Sequence, residues 1–425
     1  MSIRTPFLIL LLCASAAAQN PFETFTISQQ ALAQGDTAGY GRYALRAYTM
    51  APFDLWFAHN LARAYAMNGQ KTKCIELLDD LAVLGFDFGV ENDEGFRNVW
   101  RHSLLKGITA RAKKGSVRTA STHAFVLPEK DLVPEGIAYD PRRTTFFLSS
   151  VYKRKVVSVL PDGTPQDLLP ETADGLFSTL GLRVDAARNQ LWVLSSLQAS
   201  RTRVKDPVNV GKGRVHQYDL ATMKLVNTYA PADSLSHLFN DLTVASNGDV
   251  YITDSDNGSV YKVDAANRTM SVWYDAKDMF YPNGITMSPD QRCLFVAHWQ
   301  GISRIGLDDR VPVLLTAKQK TTMTGIDGLS FYDGALIAVQ NSAGPQSRVM
   351  RFDLNRTYDA VTKATVLESA HPDHRIPTTG VIVGDDLYYI ANSQLQSFDA
   401  EGNILPPAML HAPVVLKLPL AAPQP

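Results

Sequence analysis

Pro282-Asn283-Gly284-Ile285-Thr286-Met287-Ser288-Pro289-Asp290 leads into the apolar run Leu294-Phe295-Val296, and the same plan recurs along the chain. Pro134-Glu135-Gly136-Ile137 precedes Phe146-Phe147-Leu148, Phe239-Asn240-Asp241-Leu242 precedes Val250-Tyr251-Ile252, and Ile326-Asp327-Gly328-Leu329 precedes Leu336-Ile337-Ala338. Weaker copies stand at Leu180-Gly181-Leu182 before Leu191-Trp192-Val193 and at Thr379-Gly380-Val381 before Leu387-Tyr388-Tyr389. Each unit reads as a turn followed by short β-rich runs. Residues 136, 181, 241, 284, 328 and 380, one in each unit, are separated by 45, 60, 43, 44 and 52 positions. That period is near the roughly 40 to 50 residues of a four-stranded propeller blade. The pattern predicts a mainly β fold, a six-bladed β-propeller over residues 122–415.

Between the runs, Asp162-Gly163, Asn247-Gly248, Asn257-Gly258, Asp333-Gly334 and Glu401-Gly402 sit where hairpins should close, because Gly tolerates the positive φ such turns require. The longest interval contains the basic stretch 199–214, read as a loop insertion.

Residues 20–115 follow another rule. Ile27, Ala31, Leu32, Gly35, Tyr43, Ala44 and Ala47 recur 34 positions later as Leu61, Tyr65, Ala66, Gly69, Leu77, Leu78 and Leu81. Apolar residues at helical spacing, with Gly between two helices, resemble the tetratricopeptide repeat. Two copies are fewer than an isolated array needs, so a third helix over about residues 93–113 is expected to support them. This small all-α domain either docks structurally or recruits a protein partner.

At the N-terminus, Arg4, the apolar residues 7–12 and Ala16-Ala17-Ala18 read as a cleavable export signal over residues 1–18, which predicts a periplasmic or secreted protein. Cys13 after Leu10-Leu11-Leu12 raises lipidation as an alternative, which the bulky Leu12 opposes. No apolar stretch is long enough for a transmembrane helix. The balance of 41 basic and 42 acidic residues gives no footprint for nucleic acid or an anionic membrane. The two cysteines left after the leader, Cys74 and Cys293, read as free buried thiols.

In a propeller, residues heading the innermost strands face the central channel. The set here is Glu135, Leu180, Asn240, Asn283, Asp327 and Thr379. Two carboxylates and two carboxamides, with nothing soft beside them, suit a hard divalent cation: Ca²⁺ first, then Mg²⁺, Mn²⁺ or Zn²⁺. Turn chemistry alone would also favour Asn and Asp, but it does not account for Glu135 in the same register.

Glu135-Gly136, Asn240-Asp241, Pro282-Asn283-Gly284 with Ser288-Pro289-Asp290, and Asp327-Gly328 together resemble the senescence marker protein, gluconolactonase and luciferin-regenerating enzyme family, regucalcin-like six-bladed propellers. The resemblance covers residues 122–415. It implies that Glu135, Asn283 and Asp327 bind the metal, that Asn240 contacts metal or substrate, and that an active member hydrolyses a lactone or related ester. Asp327 is then the residue that takes a proton from water. The sugar-lactone members carry Arg two positions before the Asn-Asp pair, where this chain has Leu238. With Leu180 and Phe239, that departure points to a less polar ligand. His298 and Thr379 complete the expected substrate-facing set with Asn240, Leu180 and Leu238. The alternative is a non-catalytic, metal-stabilised propeller that binds a ligand or protein.

Overall fold

The computed structural model describes residues 20–160, 162–198, 201–203, 205–275 and 279–421. The expected leader lies outside these residues. Contacts divide the chain into two units, one of Met1–Leu78 with Glu91–Leu105, the other of Asp79–Val90 with Lys106–Pro425.

The helical region begins with α1 (Pro21–Ala33), α2 (Thr37–Met50), α3 (Leu55–Met67) and α4 (Lys71–Val83), so the second helical pair starts 34 residues after the first. Side chains at the N-caps hold the starts: Asn20 Oδ1 accepts from Glu23 N at 2.8 Å, Asp36 Oδ1 from Gly39 N at 2.7 Å, and Asp54 Oδ1 from Trp56 N at 2.9 Å. Gly35 and Gly69, at φ 76° and 74°, end the first helix of each pair. Ala31, Tyr40, Ala44, Leu61 and Ala64 form the shared core, and Tyr40 Oη donates to the backbone oxygen of Asn60 at 2.9 Å. The single helix expected over residues 93–113 is instead a 3₁₀ segment, Glu94–Val99, followed after a break by α5 (Leu105–Ser116). Asp93 caps the first piece by accepting from Gly95 N at 2.8 Å, and that local bond favours a short turn over a continuous helix. Among the described residues no helix is long and apolar enough to cross a membrane.

From Thr122 onward the chain forms the expected six-bladed β-propeller. Its innermost strands are Ile137–Asp140, Ser178–Asp185, Phe239–Val244, Ile285–Met287, Ile326–Tyr332 and Gly380–Val383, and each blade continues outward through antiparallel neighbours, the fifth adding Thr316–Ala317 in parallel at its outer edge. Every predicted apolar run is the second strand of its blade. Blade 6 is assembled from both ends of the domain: Thr122–Val126 pairs with Val414–Pro419, Thr122 opposite Lys417.

Six hydrophobic clusters fill the six gaps between neighbouring blades. The second strands show why. Phe146 and Leu148 face the gap toward blade 6 while Phe147 faces blade 2; Leu294 and Val296 face blade 3 while Phe295 and Ala297 face blade 5. Both faces are buried, so these strands read as unbroken apolar runs rather than alternating ones. Cys293 is buried in one such gap, and both Cys74 and Cys293 are free. The predicted hairpin glycines take positive φ, as at Gly248 with 97°.

Candidate functional site

The six axial positions form a closed ring of backbone contacts. A Cβ on Gly136 would stand 2.2 Å from the backbone oxygen of Leu180, one on Gly181 2.7 Å from that of Asn240, and one on Gly284 2.3 Å from that of Asp327. Each glycine therefore lets the next blade's axial residue press against it. Where blade 3 has Asp241 instead of Gly, Thr253 Oγ1 makes the link by donating to the backbone oxygen of Asn283 at 2.7 Å. The ring closes where Thr379 Oγ1 and Thr378 Oγ1 donate to the backbone oxygen of Glu135 at 2.7 and 2.9 Å. The model thus brings the axial set together about one channel.

Local irregularity then aims the side chains. Strand register shifts between Thr179 and Leu182, between Phe239 and Leu242, and between Ile326 and Leu329, so bulges fall on Leu180, Asn240 and Asp327. Glu135 and Asn283 instead stand two residues ahead of their strands.

The packing predicts a mutational result. Backbone atoms of the facing blade cannot give way as a side chain tip can, so Gly136→Ala or Gly284→Ala should cost at least the roughly 1–3 kcal/mol typical of overpacking. Thermal denaturation would show it as a lowered Tm. An unchanged Tm would mean the blades do not meet this closely.

Glu135, Leu180, Asn240, Asn283, Asp327 and Leu238 all line one cavity of about 140 Å³. Of the remaining expected residues, Thr379 braces Glu135 from behind and His298 lies elsewhere, with its Nε2 2.8 Å from Ser303 Oγ; neither lines the cavity. Thr379 turns back because its hydroxyl closes the ring, and His298 is held within its own blade.

Burial and charge make the cavity chemically distinctive. Glu135, Asp241 and Asp327 are each at most 7% exposed. Burial, then the charges of Asp327 and Asp241, push the Glu135 carboxyl well above the usual range. Burial likewise raises Asp327 to about 6, against hydrogen bonds from Asn341 and Asn283 that favour its charged form. Arg183 Nη2 is 3.6 Å from Asp241 Oδ1 and partly offsets the effect of burial on that acid. Uncompensated buried charge of this kind costs several kcal/mol and calls for protons or a cation.

Unsatisfied hydrogen-bonding groups point the same way. Four atoms of cavity-lining side chains, Glu135 Oε2, Ser178 Oγ, Gln198 Nε2 and Asn283 Oδ1, are buried without a protein partner among the described residues. Asn283 and Asn240 spend their amide nitrogens on protein, Asn283 on Asp327 and Asn240 on Ser255 Oγ at 3.1 Å. Oxygen donors on two acids and an amide, facing a shared space with like charge to neutralise, fit a hard divalent cation. No group of three or more His, Cys, Asp or Glu among the described residues is arranged for a metal, consistent with amide oxygens completing any such set. A larger hollow of about 320 Å³, lined by residues that include Arg188, Trp192 and Tyr229, contains no carboxylate, so size does not mark the site.

Residues 133–337 match the family model described as the SMP-30/Gluconolactonase/LRE-like region. This stretch of the propeller is what the chain shares with that family. No curated protein matches the chain. Among solved structures, a gluconolactonase from Xanthomonas campestris is 17% identical over 72% of this chain and 91% of its own, with a TM-score of 0.46. The calcium-binding protein regucalcin from Agrobacterium tumefaciens is 16% identical over 70% and 93%, with a TM-score of 0.46. A virginiamycin B lyase from Staphylococcus aureus is 14% identical over 71% and 99%, with a TM-score of 0.47. Within the SMP-30/gluconolactonase-like region lie Glu135, Asn240, Asn283 and Asp327.

Reasoning from the repeats missed several lining residues: Ser178, Gln198, Arg201 and Tyr281. It also missed Asn341, whose Nδ2 donates to Asp327 Oδ2 at 2.6 Å. A signal for the last existed. Polar residues at or just past the ends of several second strands brace the ring: Ser149 Oγ accepts from Gly136 N at 2.7 Å, Thr253 Oγ1 accepts from Asp241 N at 3.1 Å, and Asn341, just past Gln340, donates to Asp327.

Proposed function

We propose that the chain is an exported, metal-dependent hydrolase that opens a lactone or related ester in the propeller channel. The observation that carries this reading is the clustering of buried, unpartnered oxygen and nitrogen atoms beside two carboxylates, Glu135 and Asp327, in one small cavity, with the charge of Asp241 acting on both. The gluconolactonase-like family match supports the reaction type, and Arg4 with the apolar residues 7–12 supports export.

Glu135, Asn283 and Asp327 would hold the ion, with Asn240 beside them, and an all-oxygen donor set favours Ca²⁺. When bound, a divalent cation polarises an acyl oxygen and stabilises the charge that develops on it. The chain does the rest. Asn341 occupies Asp327 Oδ2 at 2.6 Å and fixes the plane of the carboxylate. The opposite oxygen, Oδ1, is then the one that takes a proton from the attacking water and later returns it to the departing alkoxide. Without a cation Asp327 is raised to about 6 by burial, and a bound cation would lower it and favour the charged, proton-accepting form. Val151, Leu180, Leu238 and Leu395 supply apolar wall that limits competing water.

A panel of aldonolactones and of alkyl and aryl lactones, assayed with Ca²⁺ and with chelator, tests the reading. Chelator-sensitive hydrolysis is expected, with the less polar lactones preferred over aldonolactones. Metal bound without any chelator-sensitive turnover would replace it with the second reading, a propeller that binds a ligand or partner.

A further inference from the structure

The connection between the second and third strands of blade 2 carries four basic residues, Arg201, Arg203, Lys205 and Lys212, and Arg214 follows at the start of the third strand. Three of them are spent locally. Arg203 Nε pairs with Glu171 Oε1 at 2.9 Å, Lys212 Nζ donates to Asn209 Oδ1 at 3.0 Å, and Arg214 Nη1 donates to the backbone oxygen of Gly175 at 2.8 Å while lying 4.3 Å from the Phe177 ring centroid. Arg201 differs. It is exposed, it lines the candidate cavity, and among the described residues it makes no ion pair. Its charge is felt at the Tyr281 hydroxyl, on the same lining.

Besides Arg201 and the acids, the cavity has apolar lining from Val151, Leu180, Leu238 and Leu395 and polar lining from Ser178, Gln198 and Tyr281. At about 140 Å³ it is well below the roughly 300–1,000 Å³ of sites that enclose drug-sized ligands, so its occupant is small. A small molecule within it meets oxygen donors, hydrocarbon and a guanidinium. A guanidinium presents a rigid fork of donors matched to a carboxylate.

Resting on the reading of this site as a lactone hydrolase, we propose that Arg201 selects a substrate carrying a carboxylate in addition to its lactone or ester group. Val151, Leu180, Leu238 and Leu395 favour hydrocarbon on the substrate body, while Ser178 Oγ and Gln198 Nε2 leave partners for polar atoms on it. Arg201 disfavours a purely neutral one, which leaves the guanidinium unpaired.

The test compares a γ-lactone bearing a short alkyl chain that ends in carboxylate with its methyl ester, using the Ca²⁺-loaded full chain. Wild type should show at least about tenfold higher kcat/KM for the acid, the scale of one charge-assisted pair. Raising ionic strength should shrink that ratio. Arg201→Ala should bring the ratio near one, through KM, and Arg201→Lys should restore part of it. An acid-to-ester ratio that Arg201→Ala leaves intact overturns the proposal while the hydrolase reading stands. Selection by Arg201 is equally overturned if Arg201→Ala lowers both substrates alike, because the guanidinium would then only balance the channel acids. If wild type turns over neither lactone, the hydrolase reading fails. Calorimetry with a non-hydrolysable carboxylate-bearing lactam then decides Arg201 alone: binding at least about tenfold weaker in Arg201→Ala sustains carboxylate selection, and equal binding overturns it.

Discussion

Asp327→Asn is expected to remove turnover while leaving the propeller folded. Loss of a positioned general base typically costs a factor of about 10²–10⁴ in rate. Loss of one of two negative charges among the expected ligands should weaken cation binding as well. The fold should not suffer, because the substituted side chain is isosteric and its oxygen can still accept from Asn341. Without cation the variant should even gain stability, since the buried acid that raises Glu135 most strongly is gone. Kinetics at saturating Ca²⁺, with Tm measured in chelator, read the two effects separately. Turnover retained above about a tenth of wild type would remove Asp327 from the role of base.

Adding Ca²⁺ to the metal-free protein should raise Tm, and by more at neutral than at acidic pH. Saturation at a thousand times Kd stabilises by about 4 kcal/mol. For a domain of this size each kcal/mol moves Tm by roughly 2–4 °C, so the rise is on the order of 10 °C. The pH dependence follows from the acids. Asp327 moves from 3.8 in the unfolded chain to about 6 in the folded one, and Glu135 moves in the same direction. Between those values the folded state holds more protons, so stability of the metal-free protein falls as pH rises from about 4 to about 6. A cation competes for the same oxygens and gains advantage as those protons leave. Melting curves from pH 4 to 8 with Ca²⁺ and with chelator should therefore converge in acid and separate above about pH 6. Curves that run parallel throughout would sink the assignment, and Glu135→Gln should reduce the separation.

The propeller was legible because its physics is repetitive. Each blade needs a second strand buried on both faces, which writes an unbroken apolar run, and a close approach at the channel, which writes Gly after the axial residue. Glu135, Asn240, Asn283 and Asp327 were legible from that register. What escaped depends on direction rather than spacing. Thr379 shares the register but bends its hydroxyl backward to Glu135, and His298 ends a strand yet bonds to Ser303. Arg201 lies in an insertion with no counterpart in the other blades, so no periodicity could single it out from the four basic residues near it. In the helical region the 34-residue period was visible, whereas the break after Val99 was not, since an Asp93 cap competes with helix only once its loop is folded.

The pairing of Thr122–Val126 with Val414–Pro419 makes completion of the circle wait for the propeller's last strand. Until the final segment has been synthesised, blades 1 to 5 can exist only as an open arc. Blade 1 then leaves Ile137 and Phe146 bare on the flank that blade 6 will cover. Such an arc offers a cohesive edge to other unfinished copies, so protection of that flank during biogenesis matters more here than rapid folding of any one sheet. A circular permutant recut between blades 3 and 4, with the old ends joined, would shift that exposed seam without altering the finished wheel.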